Sequence, residues 1–209
     1  SDIVLNYYIE DFAKDNYAHI MKIYTHLKPG VKYKFDDLCY PQYGFTSWGP
    51  ILSCSSYKAT MLKNSGYKLL EKTFYVDMQL NTYVAILCDT ITYYDLNIYR
   101  YFLGRDGQSI AKSSYKRNYK HHENVCIKML EAYFETFDVI SLNKQRYIKN
   151  NLIIPMINTQ YYICLNYFNN SKPFKEFNKR LKQFPKFYNN CQIATKAVKF
   201  HRFTKGCFI

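Results

Sequence analysis

The sequence lacks any apolar run near the roughly 18 residues of a membrane span. Its most apolar stretch, Leu152 to Phe168, is interrupted by Pro155, Asn158, Thr159, Gln160 and Asn166. No two of its seven cysteines lie within four positions of each other, so the paired spacing of a zinc or dithiol site is missing. His121-His122 is the only histidine cluster. It has no partner at metal spacing and reads as surface or helix packing. There is no internal repeat, no signature of a known DNA- or RNA-binding module, no N-terminal Met and no signal peptide. The chain opens on Ser1-Asp2-Ile3-Val4-Leu5, directly into a strand pattern, as expected of a fragment or a chain whose front half is missing. Acidic residues are scarce in one half only. Residues 1–95 hold 9 basic and 10 acidic side chains, whereas residues 96–209 hold 20 and 6, a net of +14. That surface suits an anionic partner: a membrane face, a diphosphate or nucleic acid. AT-rich codons would also favour the abundant Lys, Asn, Tyr, Ile and Phe.

The chain has 209 residues and is 48% hydrophobic, which excludes a disordered polymer and allows a core without disulfide or metal staples. One large domain, or one with an appendage, is expected. The cysteines are odd in number and mostly have apolar neighbours. They are expected to be buried free thiols in a reducing, cytoplasmic setting.

Ile3 to Tyr8 and Ala18 to Tyr24 read as strands, the second turning at Pro29-Gly30. Asp36 is a candidate N-cap. Pro41 to Pro50, rich in Gly, Pro and aromatics, reads as a loop. Ile51 to Ser55 resumes a strand, and Ser56 is placed as the cap of a helix through Asn64, closed at Gly66. Asp77 opens a helix with Leu80, Tyr83, Val84, Leu87 and Cys88 on its apolar face. Thr90 to Tyr94 is β-branched and aromatic, hence strand. A polar turn follows at Gly104 to Gly107. From Tyr115 the spacing predicts about six helical turns, and helices continue to the end with a break at Pro155. Another helix starts near Ser171 and Pro173, with Phe174, Phe177, Leu181 and Phe184 on one face, and stops before Pro185. The order is mixed α and β to about residue 110, then mostly helix.

The segment Phe74-Tyr75-Val76-Asp77, with Ile98-Tyr99-Arg100-Tyr101-Phe102-Leu103-Gly104-Arg105-Asp106-Gly107-Gln108-Ser109 after it, resembles the second half of family 2 glycosyltransferases of the GT-A fold, especially bacterial enzymes of surface-polysaccharide synthesis. In that family an aromatic approach ends in an acidic pair at a helix start. A strand, a Tyr-Arg segment and a Gln-Ser or Gly-Ser turn follow. Asp2-Ile3-Val4 is similar to the strand after the family's metal-binding Asp-x-Asp. The likeness covers about residues 1–125. Only the second acid of the pair is present here, as Val76-Asp77, and Asp-x-Asp occurs nowhere in the chain. Asp36-Asp37 is adjacent and reads as a helix start.

The resemblance implies an α/β fold. Residues 1–110 would form the acceptor-side part of a GT-A (Rossmann-like) domain, without its nucleotide-binding half, and residues 111–209 a helical, basic region. It implies an inverting transfer of a sugar from a nucleotide-activated donor to a saccharide or lipid-linked acceptor, with Mg²⁺ or Mn²⁺ held mainly by the missing half. This chain alone is therefore expected to be a poor enzyme. Inversion needs a base for the acceptor hydroxyl, and Asp77 matches that position. Read from spacing alone, Asp77 is equally an N-cap. Arg100 and Arg105 are candidates for the diphosphate or sugar, because the guanidinium fork fits phosphate oxygens; a surface loop is the other reading. Gln108 and Ser109 would donate hydrogen bonds to the same group or simply turn the chain. Trp48, the one tryptophan, would stack on a sugar or sit in the core. Cations and rings mix in Pro185-Lys186-Phe187-Tyr188 and Lys196 to Phe203, which suits peripheral contact with the anionic inner face of the cell membrane. The competing reading is a non-catalytic basic module on an anionic membrane or on nucleic acid. Interleaved Lys and Tyr such as Tyr115 to Lys120 allow the nucleic-acid version, which the missing signatures disfavour.

Overall fold

The computed structural model describes residues 1–12, 17–22, 24–39, 52–104 and 112–205. It is a mixed α/β structure with a curled, mixed sheet. The central strand β1 (Ile3–Phe12) buries Ile3, Leu5 and Tyr8, the apolar positions that the opening run supplies. On one side it pairs in parallel with the long β5 (Thr90–Leu103). On the other it pairs antiparallel with β4 (Ser55–Tyr57) along Ile3–Leu5 and with β2 (Tyr17–Met21) along Tyr8–Phe12. β3 (Lys32–Lys34) runs antiparallel to the start of β5. Gly30, at φ +76°, turns the chain into β3 and donates its N–H to the Tyr93 carbonyl at 2.8 Å.

Leu5 faces Tyr93 and Tyr8 faces Tyr99, so β5 takes six steps where β1 takes three. The surplus is an irregularity that bends the strand. From there on β5 leaves the core, and Leu96, Ile98, Tyr99 and Phe102 are exposed. Asp2 locks the other end. Its Oδ2 accepts from the N–H groups of Asp89 and Thr90 and from the Thr90 hydroxyl, at 2.9–3.1 Å.

Short helices α1 (Phe35–Leu38) and α2 (Ala59–Asn64) flank the sheet. Helix α3 (Val76–Leu87) packs on α5 (Tyr119–Glu135), which follows α4 (Lys112–Arg117). A further rod joins α6 (Leu142–Tyr147), a π-helical turn (Ile148–Ile153) and α7 (Ile154–Asn166). Helices α8 (Lys172–Leu181), α9 (Pro185–Tyr188) and α10 (Lys196–Phe203) complete the chain. The buried side chains form one cluster from Ile3 to Val198. Among the described residues, no helix is long and apolar enough to cross a membrane.

Several local expectations are corrected. Ser56 is a strand residue opposite Val4, and α2 begins after Lys58 with no side-chain cap, because pairing with β1 claims residues 55–57. A 3₁₀ turn over Leu52–Cys54 replaces the strand expected before Ser55. Asp36 lies inside the first turn of α1, after Lys34 at the cap. Its carboxylate accepts instead from the Ser141 hydroxyl and, at 3.1 Å, from Asn143 Nδ2, tying α1 to the start of α6. The helix expected from Tyr115 is broken at Asn118, whose φ of −106° and ψ of 20° are not helical. Pro155 does not break its helix. A proline ring clashes with the carbonyl four residues before it, and the wider π turn just upstream gives that backbone room. On α3 the buried face is broader than predicted. Leu80 and Leu87 are half-buried, while Gln79, Asn81 and Thr82 are buried. Each of these polar side chains has a partner. Gln79 Nε2 donates to the Tyr83 hydroxyl (2.6 Å), Asn81 accepts from the Tyr57 hydroxyl (3.4 Å) and Thr82 donates to the Met78 carbonyl (3.0 Å).

Five of the cysteines (39, 54, 88, 126 and 164) are buried free thiols, as expected, and Cys191 is exposed.

Candidate active site at the start of helix α3

The chain enters α3 through a strained backbone. Tyr75 occupies the N-cap at φ +69° and ψ 15°, a left-handed conformation uncommon for a residue with a bulky side chain. Such strain persists where the surroundings over-determine it. Here rings do so. Tyr75 stacks on Tyr115 of α4, with centroids 5.4 Å apart and planes within 3°, and meets His122 of α5 edge-on at 5.0 Å. Phe74 stacks on His121 at 6.0 Å and donates its N–H to His121 Nδ1 at 3.3 Å. The two helices after β5 thus clamp the aromatic lead-in that the sequence places before Asp77.

Asp77 follows in the first turn of α3. It keeps an exposed surface. The protein crowded around its carboxyl nevertheless raises its pKa, against the pull of the Met78 and Asp77 backbone N–H groups. Three phenols lie within its electrostatic reach. Burial, with the Asp77 charge adding to it, pushes Tyr57 and Tyr75 up to about 12 and raises Tyr115. All three stay protonated at neutral pH.

His122 backs this group and is buried. Its Nδ1 lies 2.8 Å from Gln160 Oε1. Because Gln160 Nε2 donates to Cys164 Sγ at 3.7 Å, the amide oxygen faces the ring and Nδ1 carries the proton. Burial pushes the imidazole down to about 4, partly offset by Gln160, so it is a neutral packing element. His121 and His122 are thus helix packing, as the sequence suggested.

This arrangement provides a carboxylate on a rigid helix start, with a proton affinity above the ordinary aspartate value and hydroxyl-bearing rings around it. It can accept a proton from a hydroxyl presented to its exposed side.

The other candidates are placed apart or lie outside the described residues. Arg100 pairs through Nε with Asp11 Oδ2 at 3.0 Å, on the exposed part of β5. Its register partner is Ile9, whereas Tyr57 pairs with Ile3. Six strand residues separate the two positions, roughly 20 Å. Trp48, Arg105, Gln108 and Ser109 lie outside the described residues. Among the described residues no group of three or more His, Cys, Asp or Glu side chains could hold a metal ion. The described residues therefore form no Mg²⁺ or Mn²⁺ cage.

Sequence reading assigned Tyr57, Tyr75, Tyr115 and His122 no role around the Asp77 carboxyl. A signal existed for two of them: Tyr115 and His122 stand seven residues apart, two helical turns, although Asn118 interrupts the helix between them. No family model, no curated protein and no solved structure matches the chain.

Proposed function

We propose that the chain is the acceptor-side, base-bearing part of a family-2-like, GT-A-type glycosyltransferase, with Asp77 as the base. The observation that carries this reading is the Asp77 carboxyl itself, at the start of α3, raised in pKa and open on one side among Tyr57, Tyr75 and Tyr115. The aromatic lead-in, the helix start and the following strand also match the order of the resemblance. Asp77 takes the acceptor proton as the acceptor oxygen attacks the anomeric carbon with inversion. A nucleotide-activated sugar would be the donor, and a saccharide or lipid-linked glycan of a surface polysaccharide the acceptor. The protein groups that meet the donor's diphosphate are proposed only in part. Arg105, Gln108 and Ser109 are kept as candidates, while Arg100 is engaged by Asp11. A divalent metal, which neutralises the leaving diphosphate in this chemistry, finds no set of ligands among the described residues. The step assigned to this chain is the proton transfer alone. The net of +14 over residues 96–209 favours peripheral contact with an anionic, cytoplasmic membrane face.

The test is nucleoside-diphosphate release by the full-length polypeptide from a panel of nucleotide sugars with Mg²⁺ or Mn²⁺, with and without saccharide acceptors. Release that rises with acceptor supports the reading. No release from any donor, by a folded protein, contradicts it.

A further inference from the structure

Away from Asp77, α8 and α10 enclose a cleft of about 370 Å³ lined by Phe174, Lys175, Asn178, Lys179, Lys182, His201, Arg202 and Lys205. Five of these eight side chains are cations and none is an acid. Lys175, Lys179 and Lys182 stand three and four positions apart on α8, so their charges project together and repel. Among the described residues none of the four lysines has an acidic partner within ion-pair distance. Nearby acids are taken: Glu176 of α8 pairs with Lys120, and Glu123 of α5 with Lys120 and Arg180.

The floor of the cleft is built, not merely charged. Arg202 donates through Nε to Asn178 Oδ1 (2.9 Å), and through its two terminal nitrogens to the Tyr188 carbonyl (2.8 Å) and the Tyr161 hydroxyl (2.9 Å). Its guanidinium lies 3.8 Å from the Tyr188 ring centre and 5.6 Å from that of Tyr161. Five N–H donors minus three engaged leaves two free in a fixed plane. Beside it, His201 Nδ1 is buried and has no hydrogen-bond partner among the described residues. A rigid arginine with spare donors and four lysines without acidic partners together match a compact, multiply charged oxyanion.

We propose that this cleft binds a phosphate group, with Arg202 at its base and Lys175, Lys179, Lys182 and Lys205 around it. The source is either an anionic lipid headgroup or a soluble phosphate. The lipid source is included because α10 turns Phe200 and Phe203 outward, the latter 88% exposed. The cleft is independent of the sugar-transfer reading and does not involve Asp77.

The experiment uses the full-length protein and two charge-matched double variants. Lys179→Gln with Lys182→Gln removes two cleft cations, and Lys58→Gln with Lys63→Gln removes two at and just before α2. Circular dichroism and thermal unfolding establish that both fold. Two probes are applied: inorganic phosphate alone, followed by titration of the His201 ring NMR signals, and sedimentation with phosphatidylcholine vesicles with and without phosphatidic acid. The cleft pair is expected to lose roughly 30-fold in affinity for whichever probe binds, since each lysine near a phosphate surface contributes about fivefold, while the α2 pair stays within about twofold. Binding of inorganic phosphate with the His201 signals moving identifies a soluble ligand. Binding only to phosphatidic acid vesicles identifies a headgroup. Equal losses in both pairs, or no binding of either probe by the folded wild type, overturns the proposal. Asp77→Asn leaves phosphate binding unchanged, so failure here and failure of the transferase reading are separable.

Discussion

Asp77 and His122 meet around the Tyr75–Tyr115 stack, and burial moves both toward their neutral forms. The consequences for stability differ in sign. For His122 the folded pKa of about 4 lies below the unfolded value near 6.5. The unfolded chain therefore takes up the proton first. Stability is full above about pH 6.5 and falls as the pH drops toward 4, by an order of 3 kcal/mol from this residue. Urea unfolding at a series of pH values should show that slope in the wild type and a flatter one in His122→Gln. For Asp77 the folded pKa is raised, so ionisation at neutral pH favours the unfolded chain. Asp77→Asn is expected to melt at the same temperature as wild type or higher at pH 7. A clear drop in Tm would show that the carboxylate's main work is capping the helix. None of this electrostatics was legible in sequence. The aspartate was visible as a helix start, but two of the three phenols within its electrostatic reach, Tyr57 and Tyr115, arrive from β4 and α4, about 20 and 40 residues away in the chain.

Strand β1, the start of β5, the start of α3 and the amphipathic α8 were all legible because local pattern and tertiary burial agree there. In α8 the predicted face is the buried one for Phe174, Phe177 and Leu181. Legibility fails where a distant partner decides. Ser56 has the chemistry of a cap, but β1 recruits it into a strand. Pro155 has the chemistry of a break, but a π turn absorbs it. The far half of β5 is exposed, so no core pattern marks it, and its partner β1 defines it. Gly66 is the clearest case of local agreement. It follows α2 at φ +75°, and a Cβ there would meet nothing within 4 Å. The cost of Gly66→Ala is therefore conformational only, about 1 kcal/mol. Gly66→Asn should cost less, because asparagine tolerates that region. Chemical denaturation of the two variants checks the order; equal stability of Ala and wild type would mean that α2 ends differently.

At the scale of the molecule, the basic helical half is tied together internally by a buried acid. Fully buried Glu123 on α5 accepts from Arg180 of α8 at 2.7 Å and from Lys120 at 3.1 Å. Removing one partner of a buried pair leaves charge uncompensated, at a cost of about 3 kcal/mol. Arg180→Met should lower stability by that order, and Glu123→Gln placed in the same chain should recover part of it. A double variant no better than Arg180→Met alone would show that Lys120 already satisfies the carboxylate. The mixed α/β order and the charge asymmetry were readable from composition and period. The meeting of α3, α4 and α5 that builds the Asp77 surroundings was not, because each contact spans a break in the local pattern.

The most direct measurement is acceptor-dependent sugar transfer by Asp77→Asn in the full-length polypeptide, beside wild type and an Asp95→Asn control on exposed β5. The amide keeps the shape of the side chain but cannot take the acceptor proton. Transfer is predicted to fall by ~10²–10⁴, with donor binding and helix content unchanged and the Asp95 variant near wild type. Turnover by Asp77→Asn within a few fold of wild type would contradict the assignment of Asp77 as the base.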